Sequence, residues 1–123
     1  MRIIDKKPYI FPTNQLFIKY KILKVPELVL EQNIVILLSF LNGTLPIALS
    51  SLFQLNGPLS TRSPEHFVVP FTRSNFRMFS ISLSAPRAWN TVIHTECNNI
   101  DEVPRSKSIL KKKVRAVLLE KYK

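Results

Sequence analysis

Residues 80–90 read SISLSAPRAWN, and the fold turns on how they are taken. Ile81 and Leu83 alternate with serines, the period-2 pattern of a strand with one buried face. Pro86 then interrupts, and the only tryptophan, Trp89, follows with Asn90 beside it. Proline suits the first turn of a helix. The reading is therefore a strand over 78–84 that hands over at Pro86 to a short helix carrying Trp89. Upstream, FVVPF at 67–71 is a second β-type run, separated from the first by TRSNFR. Together they predict a small strand pair within 60–92, with Trp89 in the core, Asn90 capping or hydrogen-bonding locally, and Pro86 as the structural break.

Outward from this segment the chain is helical in character. Residues 32–61 carry no charge of either sign, whereas residues 1–31 hold six basic and three acidic residues and residues 62–123 hold twelve and five. The uncharged run is long enough to span a bilayer, but Asn42-Gly43 and Pro46 fall inside it. Two buried helices with a tight turn are the better reading. The first starts at Pro26, with Glu27 where the helix dipole favours an acid, and stops near Asn42 with Gly43 as its left-handed cap. Its apolar positions, among them Leu28, Leu30, Ile34, Leu38 and Leu41, leave no wide polar face, so it should be covered on all sides. The second runs from Pro46 to Phe53 and is closed by Asn56-Gly57-Pro58, completing a helical hairpin over 26–54. Residues 94–105 are polar and read as a loop. The last segment, 106–122, is a basic amphipathic helix: Leu110, Val114, Val117, Leu118 and Tyr122 share one face while lysines crowd the other. The expected class is α+β, mostly α, in one small domain over residues 1–123.

The bulk numbers narrow the function classes. The chain has 123 residues, 46% hydrophobic, with 18 Lys and Arg against 8 Asp and Glu and a net charge of +10. That balance points to a polyanionic partner, nucleic acid first, or else simply keeps an apolar chain soluble. Cys97 is the single cysteine, so no disulfide can form within the chain. The opening residues lack the apolar core of a signal peptide. An intracellular protein, cytoplasmic or nuclear and not secreted, is expected.

Chemistry is sparse. His66, His94 and Cys97 give no paired metal-ligand spacing. Gly43 and Gly57 stand alone, which leaves no phosphate-cradling loop. Asp5 and Asp101 lie at opposite ends, so no carboxylate cluster can hold catalytic cations. No catalytic residue, metal, cofactor or small-molecule substrate is expected. What remains is a binding constellation. Arg62, Arg73, Arg77 and Arg87 interleave with Phe67, Phe71, Phe76, Phe79 and Trp89, and Lys111, Lys112, Lys113 and Arg115 sit on the last helix. Arginines fork onto phosphates and aromatic rings stack on bases; equally, the aromatics can be core and the arginines a solvated face.

The order of these pieces resembles the C-terminal region of reverse transcriptases from non-LTR, LINE-type (jockey-like) retrotransposons. Thr61-Arg62 match that family's Thr-Arg pair. Pro70, Arg73 and Asn75 match its Pro-x-x-Arg-Thr-Asn element, with Ser74 in place of Thr. Ser80-Ile81 match its Ser-Ile strand, Pro86 its Gly-Pro pair with Ala85 for the glycine, and Trp89-Asn90 its Trp-Asn. ILKKKV at 109–114 matches its closing basic helix, and the upstream segments QLFIKYKILKVPEL and NGTLPIALSSLF resemble the helices that follow the thumb. Val92-Ile93 stand near where Leu-Pro is usual. The resemblance covers roughly residues 10–122. It implies an accessory module beyond the polymerase core, without the palm and its Tyr/Phe-x-Asp-Asp turn, that binds RNA or single-stranded DNA weakly and with sequence tolerance. It also implies the remainder of a retroelement polymerase as a partner. The alternative is a small membrane-associated or partner-docking protein using apolar residues 34–53.

Overall fold

The computed structural model of the chain describes residue 6 and residues 8–57, 66–97 and 100–123. Among the described residues five α-helices follow one another: α1 (Thr13–Tyr20), α2 (Val25–Leu41), α3 (Ile47–Ser50), α4 (Ile81–Glu96) and α5 (Lys107–Glu120). Short 3-10 turns occupy Asn75–Phe79 and Ile100–Glu102. The class is mostly helical.

Helix α2 forms where the punctuation asked for it. Pro26 lies in its first turn with Glu27, and beyond Asn42 the chain turns through Gly43 at φ 71°. The amides of Asn42 and Gly43 return to Leu38 and Phe40 at 3.0 and 3.1 Å, closing the last carbonyls. Helix α4 packs along α2, and α5 contacts both. Ile34, Leu37 and Leu38 of α2 meet Ala85, Trp89 and Val92 of α4 and Leu110, Val114 and Leu118 of α5 in one buried cluster. On α5 the expected stripe holds, with Leu110, Val114, Leu118 and Tyr122 buried and Val117 partly so.

The strand expected at 78–84 is not there. Its residues are the end of a 3-10 turn and the opening of α4. The alternation of Ile81 and Leu83 lasts only two pairs, too short to outvote the longer pattern. Ile81, Ala85, Ala88, Trp89 and Val92 recur at helical spacing, and α4 buries that stripe, Ile81 only partly. The Ser80 carbonyl starts the helix by accepting from the amides of Leu83 and Ser84 at 3.1 and 2.9 Å. Pro86 therefore lies inside α4 rather than at its start. One missing amide in the second turn is outweighed by a buried face that continues through Ile93. The other expected strand, 67–71, reduces to one antiparallel bridge, Leu55 to Phe67.

The hairpin over 26–54 is also revised. Helix α3 is a single turn with none of its residues buried; Phe53, just beyond it, is buried against Phe40, ring centroids 5.8 Å apart. The face α2 needed covered is taken by α4 and α5. Its other face is open: Val25 and Val29 are 72% and 54% exposed. No helix among the described residues is long and apolar enough to cross a membrane.

Candidate nucleic-acid interface

The arginine–aromatic constellation divides in two. Phe67 and Trp89 go inside; Phe71, Phe76 and Phe79 go outside.

The inner half is a structural knot. Trp89 and Phe67 are fully buried and meet edge to face, centroids 5.4 Å apart at 77°, the geometry aromatic quadrupoles favour. The indole Nε1 donates to Nδ1 of His66 at 3.1 Å. Indole is a donor only, so Nδ1 of His66 serves as acceptor. Asn90 holds the backbone of Phe67 at both polar groups: Oδ1 accepts its amide at 3.2 Å and Nδ2 donates to its carbonyl at 2.9 Å. On the other edge, the Asn56 amide donates to the His66 carbonyl at 3.0 Å and the Val68 amide to the Gln54 carbonyl at 2.9 Å. Residues 66–68 are thus held between a backbone and a side chain that acts like a neighbouring strand. The sequence carries no local signal for this, since His66 and Trp89 are 23 residues apart.

The outer half is the segment 71–80. Phe71, Phe76 and Phe79 are 86–93% exposed, and Arg73 and Arg77 beside them are exposed too. The segment is held in shape by its own bonds. The Ser74 amide donates to Thr72 Oγ1 at 3.3 Å, the Arg77 amide to the Ser74 carbonyl at 3.2 Å, and the Ser80 hydroxyl to the Arg77 carbonyl at 2.8 Å. An open depression of about 600 Å³ lies on it, lined by Ser74, Phe76, Arg77, Phe79 and Ser80. Between residues 66 and 95 the chain has three arginines and no acid, so the fixed charges of the segment itself are all positive.

The other expected cations are placed variously. Arg87 is exposed on α4, outside the depression's lining, and Lys112 is exposed on α5. Lys111 is half-buried, and Lys113 directs its ammonium to the sulfur of buried Cys97 at 3.3 Å. Arg115 departs most from expectation: its Nε donates to both carboxylate oxygens of Glu31, each at 3.2 Å. Glu31 is fully buried, and a buried carboxylate needs a partner more than a phosphate does. Arg62 and the Thr61-Arg62 pair lie outside the described residues. So does the side chain of His94.

At the start of α2, the Lys24 ammonium lies 4.8 Å from the centre of the Tyr122 ring and 5.6 Å from that of Phe17, and donates to Asn14 at 2.8 Å. The Tyr122 hydroxyl accepts the Lys24 amide at 2.9 Å. Burial pushes that hydroxyl above its usual 10.0; the Lys24 amide opposes the shift, and the Glu27 carboxylate adds to it. This cation is committed to holding α1, α2 and the end of α5 together.

Among the described residues no three of His, Cys, Asp or Glu are grouped as metal ligands. No protein-family model, no curated protein and no solved structure matches the chain.

Proposed function

We propose that this chain is a non-catalytic accessory module of a non-LTR retrotransposon reverse transcriptase, derived from the region beyond the polymerase core, that binds RNA or single-stranded DNA weakly and with sequence tolerance. The origin rests on the order of motifs from Thr61-Arg62 to the closing ILKKKV. The binding activity rests on one observation above all: an acid-free surface segment that exposes Arg73 and Arg77 among three uncovered phenylalanines. Core aromatics would have been hidden there, and an inert solvated face would have no use for the rings. Cytoplasm or nucleus is the compartment this reading requires.

Salt dependence tests it. Arg73, Arg77, Arg87 and Lys112 are exposed. If these neutralise about four phosphates, the log–log salt slope for a single strand is about −2.8. Arg73→Gln with Arg77→Gln should flatten it, whereas Arg115→Gln should leave the slope and lower the melting temperature. A slope indifferent to Arg73 and Arg77 would end the reading. Primer extension on an RNA template with Mg²⁺ or Mn²⁺ should yield no product. The origin has its own test: palm-encoding remnants in the DNA upstream of the Met1 codon.

A second reading has one observation in its favour. Ile47, Leu49 and Leu52 are exposed, so residues 34–53 offer apolar surface to a protein partner. Retention of nucleic-acid binding after Ile47→Lys separates the two.

A further inference from the structure

The turn that carries Phe76 and Phe79 is a 3-10 helix, Asn75–Phe79. In that helix residues three apart eclipse, one above the other, with about 6 Å of axial rise between them. Phe76 and Phe79 are such a pair, and both line the same open depression. Two bases stacked on one strand sit about 3.4 Å apart, so a base with a ring on each face needs about twice that spacing. The 3-10 rise supplies nearly all of it, and exposed side chains can take up the rest by rotation. An α-helical turn would have splayed the two rings around the axis instead.

From this spacing we infer that Phe76 and Phe79 form a slot for a single unpaired nucleobase, with Arg77 between them in sequence holding the adjoining phosphate. The inference rests on the nucleic-acid reading above and sharpens it: the ligand is an extruded or single-stranded base, and duplex is refused. Charge identifies the occupant. The lining contains Arg77 and no acid, and Arg73 lies three residues before Phe76, so an apolar ligand carrying an anion is preferred to a purely apolar one. Ser74 and Ser80 complete the lining with hydroxyls; the Ser80 hydroxyl already donates to the Arg77 carbonyl at 2.8 Å and fixes the turn. Stacking explains tolerance to sequence, because every base has a π-face.

The experiment measures fluorescence anisotropy of the full chain against three labelled probes: a 15-nucleotide oligo-dT, a strand of equal length made of abasic sites throughout, and a blunt duplex of equal length. The abasic control carries no base at any position, so that nothing is left to enter the slot, and each probe is titrated with the parent chain, with Phe76→Ala, with Phe79→Ala and with Arg73→Gln/Arg77→Gln. Both phenylalanines are exposed, so the truncations should leave the melting curve in place. The expected result is a loss of about 5- to 150-fold on oligo-dT for each phenylalanine variant, the range that one stacked base spans. The same variants should not change the abasic strand or the salt slope. Equal affinity for abasic and intact strands, or for duplex and single strand, with neutral phenylalanine variants overturns the slot while leaving the polyanion reading standing. No salt-sensitive binding to any probe overturns both.

Discussion

Replacing Asn90 by Ala strands two backbone groups of Phe67, the amide and the carbonyl that the side chain holds at 3.2 and 2.9 Å. Unsatisfied buried groups cost about 1–3 kcal/mol, and Asn90→Ala should lower stability by that order in a urea titration. Asn90→Asp should do worse, because it keeps the acceptor and sets a second oxygen against the Phe67 carbonyl. An Asn90→Ala chain as stable as its parent would make the clamp incidental. Tyr122 carries the pH prediction. Its folded-state pKa is raised above 10.0 by burial, so the fold binds that proton more tightly than the unfolded chain does. Its contribution is complete below pH 10 and is lost as pH rises through the raised value. Stability measured from pH 8 to pH 11.5 should fall at the alkaline end, and Tyr122→Phe should flatten that fall. At this scale Trp89 is legible as core from its type alone. Its hydrogen-bond partner is not, because His66 is distant in sequence.

Helices α2 and α5 are legible in the amino-acid order because their signals are long: proline, acid and glycine punctuation for one, a repeating apolar face for the other. Helix α4 is not, because its first four residues mimic a strand and its proline falls one turn in. What decides the outcome is packing. Ala85 and Ala88 are buried small residues on α4, and small side chains let two helices approach closely. Where the resembling family has glycine, this chain has Ala85, and the site still fits a methyl group. Ala85→Leu should overpack it and lower the urea midpoint by the equivalent of about 1–3 kcal/mol. Ala85→Ser should be far milder. A tolerated leucine would mean that α2 and α4 are loosely held. The candidate site is half legible: its residues stand out by composition. Which rings are hidden follows only from the route of the chain, since Phe67 and Phe71 differ little in local sequence.

Across the whole molecule, charge segregation is plain in the sequence. The uncharged run 32–61 predicts buried helices that so small a chain cannot fully surround, hence an exposed apolar patch, and Ile47, Leu49, Leu52 and Leu55 are exposed, as are Val25 and Val29 on the free face of α2. A 123-residue chain has too little mass to wrap a helix that is apolar all round. Folded protein at neutral pH is therefore expected to enhance the fluorescence of an apolar-surface dye. Val25→Lys, Val29→Lys and Ile47→Lys together should diminish the signal without moving the melt. A folded chain that ignores the dye would contradict the exposed faces.

The bond between Glu31 and Arg115 joins positions 84 residues apart. On a ribosome adding about 5–20 residues per second, the carboxylate waits roughly 4–17 s for its guanidinium. During that interval α2 lacks its counter-ion, and until α4 (Ile81–Glu96) has been made its inward apolar face has no cover either. Assembly must then be a late event, completed only after the basic helix emerges. A nascent chain halted before Leu110 is expected to leave part of the buried face of α2 uncovered.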